Sequence, residues 1–163
     1  MVSNLSEFCR ITLSSGREEW LEVEKEIEQV ELYLRIEQVR LGDYLTTQAE
    51  IDPELKSLLI PSLLLQPLVE NAVKYGYITH TDNYNINLLV REENKKLVII
   101  VENDGQWVQE KEKTKNDEFV EYKGGIGLQN IRNRLKLHFE NEWSLSHDEK
   151  DGKVIVTLIL PFL

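Results

Sequence analysis

The chain has 163 residues, 41% of them hydrophobic and 29% charged, enough to bury a sizeable core as one compact domain with at most a short appendage. Its net charge of -10 excludes general affinity for nucleic acid or anionic lipid, which both need a surplus of Lys and Arg, so a polyanionic ligand must meet a local site built against the overall field. Apolar stretches such as KVIVTLILPFL fall short of the ~20 residues that span a bilayer, and the single cysteine, Cys9, excludes an internal disulfide and a cysteine-built metal site; a soluble chain in a cytosolic setting, with Cys9 a buried inert thiol, is expected.

Residues 17 to 41, REEWLEVEKEIEQVELYLRIEQVRL, place Val23, Ile27, Val30, Leu34 and Leu41 at spacings of four, three, four and seven, the seam of an amphipathic helix. A second row at Leu32, Ile36 and Val39 widens the buried face. A helix lying on its own domain and one in a dimer bundle fit this pattern equally well. Gly42 and Asp43 stop it. Residues 44 to 51 read as a short strand and DPELKS as a turn. A helix then starts near Pro61, a favourable first-turn residue, and Pro67 lies deeper, where it must kink the helix or mark a fresh start.

Residues 84 to 103 read as a hairpin whose second strand, LVIIVEN, is central and covered on both sides. Residues 106 to 123, QWVQEKEKTKNDEFVEYK, have no sustained period and read as a long mobile loop, either a functional lid or a disordered segment. GGIGLQNIRNRLKLHF opens a helix behind glycines, with Leu128, Ile131 and Leu135 as its apolar row. The chain ends in a second hairpin joined through Asp151 and Gly152. Strands in hairpins with interspersed helices predict an α+β fold: a two-layer sandwich with a mostly antiparallel sheet and the helices on one face, preceded by a helical segment. A doubly wound dinucleotide fold would need regular alternation and is excluded.

Three stretches carry candidate chemistry. In LLQPLVENAVKYG, residues 64 to 76, an apolar stripe through Leu64, Leu68, Ala72 and Tyr75 is interrupted by Gln66, Glu70 and Lys74 on one strip, with Asn71 at its border. Asn71 offers a neutral oxygen to a hard cation such as magnesium, and Lys74 a positive charge to a phosphate. A plain Glu70–Lys74 surface pair is the competing reading, and the stronger one on this segment alone. In VENDGQW, Asn103 and Gly105 leave a buried strand together, one a side-chain amide at fixed depth and the other a residue that admits close approach to the backbone; an ordinary turn also fits. In GGIGL, glycines expose the first amides of a helix, where phosphate binds, although the segment matches neither a Walker loop nor a dinucleotide fingerprint.

In combination and order these stretches resemble the Bergerat ATP-binding fold of the GHKL superfamily. LIPSLLLQPLVENAVKYG followed by GGIGLQNIRNRLKLHF is similar to the LytS-like group of bacterial sensor histidine kinases. NLSEFCRITL and the segment from VEKEIEQ to LVENA extend the likeness upstream, so it covers nearly the whole chain apart from the lid. It implies that residues 1–43 are the C-terminal helical part of a dimerisation and phosphoacceptor region and that residues 44–163 are the ATP-binding catalytic domain.

By that resemblance, Glu70, Asn71 and Lys74 match the N box, with Asn71 holding the Mg2+ that bridges the ATP phosphates and Glu70 orienting or partly deprotonating the phosphoacceptor. Tyr75 stands where the family usually has His. Asn103 matches the acidic residue that accepts a hydrogen bond from the adenine amino group, and an amide oxygen can still accept it without charge assistance. Gly105 matches the first glycine of that motif, whereas Trp107 replaces a second and would either cap the adenine or block it. Gly125, Gly127 and Leu128 match the second glycine box. The family's phosphoacceptor His lies in an HFLFN-like segment, and none of His80, His138 or His147 has such surroundings. The chain is therefore expected to begin after that helix and not to phosphorylate itself. Arg132, Arg134 and Lys136 would either add positive potential near the phosphates or form a solvated helix face.

The implied function is phosphoryl transfer from ATP to a His on an upstream helix of the same or a partner subunit in a homodimer, for relay to a response regulator. Nucleic acid is not an expected partner, and membrane contact is expected only through upstream segments of an inner-membrane sensor whose catalytic domain is cytoplasmic. The rivals are a non-catalytic module on the same fold that has lost nucleotide binding through Asn103 and Trp107, and an ATPase or serine kinase on that fold.

Overall fold

The computed structural model of the chain describes residues 19–79, 82–108, 110–113, 119–122 and 125–162. Cys9 and His80, as well as the upstream segment of the family likeness, lie outside them. A short strand β1 (Trp20–Glu22) leads into helix α1 (Val23–Leu41). The expected seam of Val23, Ile27, Val30, Leu34 and Leu41 is buried in the same core as the sheet, so α1 lies on this domain. Of the second row only Leu32 is buried; Val39 is 57% exposed. Gly42 ends the helix with φ 63 and ψ -139, a region that disfavours residues with a Cβ, and its amide donates back to the Gln38 carbonyl.

After β2 (Leu45–Ile51), a turn of 3-10 helix and β3 (Leu59–Pro61), helix α2 begins at Gln66 and runs to Thr79. The expected start near Pro61 is displaced because Pro61 pairs with Trp20 in the β1–β3 ladder and Leu63 takes a left-handed φ of 57. Pro67 is thus the second residue of a fresh helix, where its missing amide costs nothing. The stripe Leu64, Leu68, Ala72 and Tyr75 is buried throughout.

Strands β4 (Tyr84–Glu93) and β5 (Lys96–Asp104) form the expected hairpin, turned by Asn94 and Lys95, both left-handed. Strands β6 (Glu110–Lys113) and β7 (Phe119–Tyr122) pair antiparallel within the segment read as an irregular loop. Helix α3 (Gly125–Phe139) starts among the glycines, and β8 (Ser144–Lys150) and β9 (Lys153–Pro161) close the fold around a left-handed Asp151-Gly152 turn.

The main sheet has the order β2-β4-β5-β9-β8; only β2–β4 is parallel. Alternate residues Ile86, Leu88 and Val90, with Leu97, Ile99 and Val101 beside them, share one core with residues of all three helices. This is the expected two-layer sandwich. Strand β5 is central as expected, and its outer face is covered only in part: Val98 is 3% exposed, whereas Ile100, like Leu89 and Ile155 on neighbouring strands, is half-buried. The layers meet closely at Gly76, where a Cβ would lie 2.7 Å from the Tyr84 ring. Tyr84 is fully buried, its hydroxyl donates to the Val73 carbonyl at 3.2 Å, and burial pushes the phenol up to about 12.

Candidate functional site

Helix α2 is the wall that the candidate residues share. On one flank, Gly127 of α3 sits so close that a Cβ there would meet Pro67 Cβ at 3.5 Å and both side-chain polar atoms of Asn71 at 3.9 Å. Pro67 and Asn71 are four apart and face α3 together. Asn71 is half-buried, and the first turn of α3 begins at Gly125, so its amide-bearing end opens beside this carboxamide. Leu128 turns inward and is buried, which anchors that turn.

On the other flank, α2 meets the end of β5. A Cβ on Gly76 would lie 3.4 Å from the Asp104 carbonyl, and one on Gly105 would lie 3.5 Å from Gly76 Cα and 2.3 Å from Thr79 Oγ1. Gly105 has φ 125, so both its backbone and its surroundings require glycine. Thr79 locks the junction: its hydroxyl donates to the Tyr75 carbonyl at 2.7 Å and accepts the Gln106 amide at 2.9 Å. Asn103, 3% exposed, points into the helix layer and donates Nδ2 to the Asp104 carbonyl at 2.9 Å. With the nitrogen engaged, its oxygen is the end left to accept.

Glu70 and Lys74 are exposed on the same strip of α2. Glu70 accepts from Gln66 Nε2 at 2.9 Å; Lys74 Nζ donates to the Tyr75 hydroxyl at 3.3 Å and stands 4.8 Å from the centre of that ring. Tyr75 is buried and so joins the stripe while carrying its hydroxyl to the helix surface. Gly127 beside Asn71 and Gly105 beside Gly76 thus stand on two flanks of one helix, with Asn103 two residues before Gly105 and Gly125 at the start of α3. Glu70 and Lys74 lie on the exposed strip of α2.

Trp107, expected either to cap or to block a ring, is turned to the edge strand. Its indole stacks on His147 at 3.8 Å and 9°, its amide donates to Glu149 Oε1 at 2.5 Å, and the Gly105 amide donates to the Gly152 carbonyl at 2.9 Å. His138 is half-buried between Trp20 and Phe139 at the end of α3. Arg134, one of three candidates for added positive potential, donates to the Ser62 carbonyl, which commits it to the start of α2. Arg132 is half-buried, and burial holds it below the usual arginine range. Lys136 is exposed.

Two residues carry more of this site than the sequence suggested. Thr79 was indistinguishable from a helix-end residue. Glu26 is 1% exposed: its Oε1 accepts the Leu63 amide at 2.5 Å and its Oε2 the Leu64 and Leu65 amides at 3.0 Å each. Its position three residues after Val23 and four before Val30, inside the apolar seam, was the available signal.

Two clefts lie elsewhere. One of about 350 Å³, lined by Gln48, Asn87, Leu89, Ile100 and Glu102, is on the outer face of the sheet; another of about 250 Å³, lined by Leu59, Leu97 and Phe162, is at the far end of β5. Neither contains Asn71 or Asn103. Among the described residues no three His, Cys, Asp or Glu side chains gather as a metal cluster, and no helix is long and apolar enough to cross a membrane.

The chain is similar to known histidine kinases in sequence and in fold. A family model described as histidine kinase matches residues 1–45. The chain is 35% identical over 139 residues to the sensor histidine kinase YpdA of Escherichia coli, covering 84% of this chain and 24% of that protein. It is 32% identical over 152 residues to the sensor protein LytS of Staphylococcus haemolyticus, covering 86% and 26%. The chain therefore spans about a quarter of the length of the curated relatives it matches. Among solved structures, the catalytic domain of histidine kinase ThkA superposes with a TM-score of 0.61 at 16% identity over 88% of this chain and 95% of that one. The same kinase in complex with response regulator TrrA gives 0.58 at 16% identity over 99% and 48%.

Proposed function

The chain belongs to the LytS-like sensor histidine kinases, and from that premise we propose that it binds ATP with Mg2+ at the mouth walled by α2 and passes the γ-phosphoryl group to a histidine outside this chain. The observation that carries the reading is the double contact of α2, with Gly127 against Asn71 on one flank and Gly105 against Gly76 on the other. One helix then aligns a carboxamide, the amide-bearing entry of α3 and the end of the strand that holds Asn103.

The donor set fits magnesium. That ion keeps most of its ligands as water and phosphate oxygen and takes few from protein, so one half-buried carboxamide beside helix-entry amides suffices. When bound, magnesium draws off phosphate charge and fixes the phosphates relative to the acceptor. Asn71 would present its oxygen to the ion, the amides following Gly125 and Gly127 would face phosphate oxygens, and Lys74 would add a positive charge. Asn103 would offer its oxygen to the adenine amino group, and Gly105 lets the end of β5 close onto Gly76 and Thr79 just beyond it. With Trp107 engaged on His147, the indole is held at the edge strand. Glu70, exposed one turn before Lys74, would take or orient the proton of the attacking imidazole on a carboxylate oxygen. The imidazole nitrogen bonds to the γ-phosphorus as the bond to the β-phosphate oxygen breaks, and ADP leaves.

His138 is packed between aromatic rings and His147 is stacked under Trp107, so neither is offered as the acceptor. Residues 1–43 are proposed to close the helical dimerisation and phosphoacceptor region and residues 44–163 to form the catalytic domain, with α1 lodged against the sheet. A homodimer of the longer protein, anchored in the inner membrane with this part in the cytoplasm, and a response regulator as the final acceptor complete the reading; ThkA was solved with such a regulator. The test is to incubate the chain with Mg-ATP and a separately supplied subunit carrying the upstream helix. Acid-labile, alkali-stable phosphate on that subunit is expected. Release of free phosphate without transfer, or acid-stable phosphate, would support an ATPase or a serine kinase instead.

A further inference from the structure

A carboxylate buried to 1% exposure is costly, and nothing in the proposed chemistry uses Glu26. Its surroundings give it another task. Residues leading into α1 are strapped to those leading into α2: β1 pairs with β3, the Val23 and Glu24 amides donate to the Leu58 and Lys56 carbonyls, and the Ser62 amide donates to the Glu19 carbonyl. One turn into α1, Glu26 then receives three consecutive amides, those of Leu63, Leu64 and Leu65, immediately before the first residue of α2. The preceding carbonyl, of Ser62, is held by Arg134 of α3, and the Arg134 charge faces the Glu26 carboxylate. Arg134 lies seven residues after Gly127 and on the same side of α3, so α3 touches the α2 segment at both ends of one stripe: Gly127 at Asn71 and Arg134 at Ser62.

We propose that Glu26 is a positioning residue, whose carboxylate sets where α2 starts and so holds Asn71 at its station beside Gly127, linking the placement of α1 to the mouth. Leu65 and Asn71 are six residues apart, about 9 Å along a rigid helix, so a shift of the first turn is carried to Asn71 with little loss. The effect on ligand binding rests on the nucleotide reading given above; the effect on Asn71 does not.

The experiment uses the whole chain, isotope-labelled, as wild type, Glu26→Gln and the control Glu28→Gln, an exposed carboxylate on the same helix. Its readouts are the Asn71 side-chain amide resonances without nucleotide, identified by their loss in Asn71→Ala, and the Kd of a non-hydrolysable Mg-ATP analogue measured well below each Tm. In Glu26→Gln the Asn71 resonances should move and affinity should fall roughly tenfold, the scale of outer-contact losses at metal sites, while Glu28→Gln changes neither. A lower Tm with unmoved Asn71 resonances and unchanged Kd would overturn the proposal and leave Glu26 a stabilising cap only. If wild type binds no analogue, the nucleotide reading fails and the Asn71 resonances alone decide this one. Should Glu26→Gln not fold, Glu26→Asp, which keeps the charge on a shorter arm, is read in the same way.

Discussion

The turn leading into α2 and the mouth midway along that helix both set polar groups where hydrocarbon would pack, and they differ in how those groups are matched. At the turn, Glu26 meets three amides and Ser62 meets Arg134, all partners within the protein, with the Leu64 and Leu65 bonds fully buried. At the mouth, Asn71 is half-buried beside Gly127, Asn103 keeps an oxygen for accepting, and Gly105 packs directly against Thr79 and Gly76. Polar groups satisfied internally fix a backbone, whereas polar groups partly open to solvent or with an acceptor to spare can serve a ligand. Helix α2 joins the two cases.

Several substitutions would break or sharpen this contrast. The largest effect is expected at the matched end: Glu26→Ala orphans three amides, two of them buried at about 1–3 kcal/mol each, so thermal unfolding should show a large drop in Tm. Next is Gly76→Ala, which sets a Cβ 2.7 Å from the Tyr84 ring; overpacking of this kind costs about 1–3 kcal/mol, and denaturant titration should register it together with weaker nucleotide binding. Trp107→Ala should cost only about 1 kcal/mol through loss of its aromatic stack, with nucleotide affinity unchanged, because the ring is engaged on His147. A large loss of affinity there would show that the indole serves the mouth after all.

The smallest effect is a pH dependence at Glu26. Burial holds this carboxyl above its usual value of 4.5, partly opposed by its amide bonds and by Arg134. The folded chain therefore keeps the proton to higher pH than the unfolded chain, and the resulting stability is fully present below the unfolded value and lost as pH rises through the folded one. The Tm deficit of Glu26→Gln relative to wild type should accordingly be largest in acid and shrink towards neutral pH.

Much of the fold was legible because local chemistry and tertiary packing agree. Asp151-Gly152 demands a tight turn, the seam from Val23 to Leu41 has helical spacing, and glycines open α3 at Gly125. The start of α2 was misread because Pro61 carries a first-turn signal locally but pairs with Trp20 across the β1–β3 ladder, a contact with no signature in either short segment. The β6–β7 hairpin was missed because neither EKEK nor FVEY shows enough alternation to mark a strand. Asn71, Asn103 and the two glycine stretches could be named as candidates from residue type, whereas their convergence on α2 depends on Gly76 and Thr79, ordinary residues until β5 is set against them. Glu26 looked like one more charge in a Glu-rich helix, and only its place within the seam distinguished it.

Calorimetric titration of the chain with Mg-ATP, run in parallel on Asn71→Ala, tests the central claim most directly. Magnesium-dependent binding in the wild type that falls at least about a hundredfold in Asn71→Ala, the upper range for loss of a metal-site contact, is the predicted result. Equal binding by the two proteins, or none by the wild type, would contradict it.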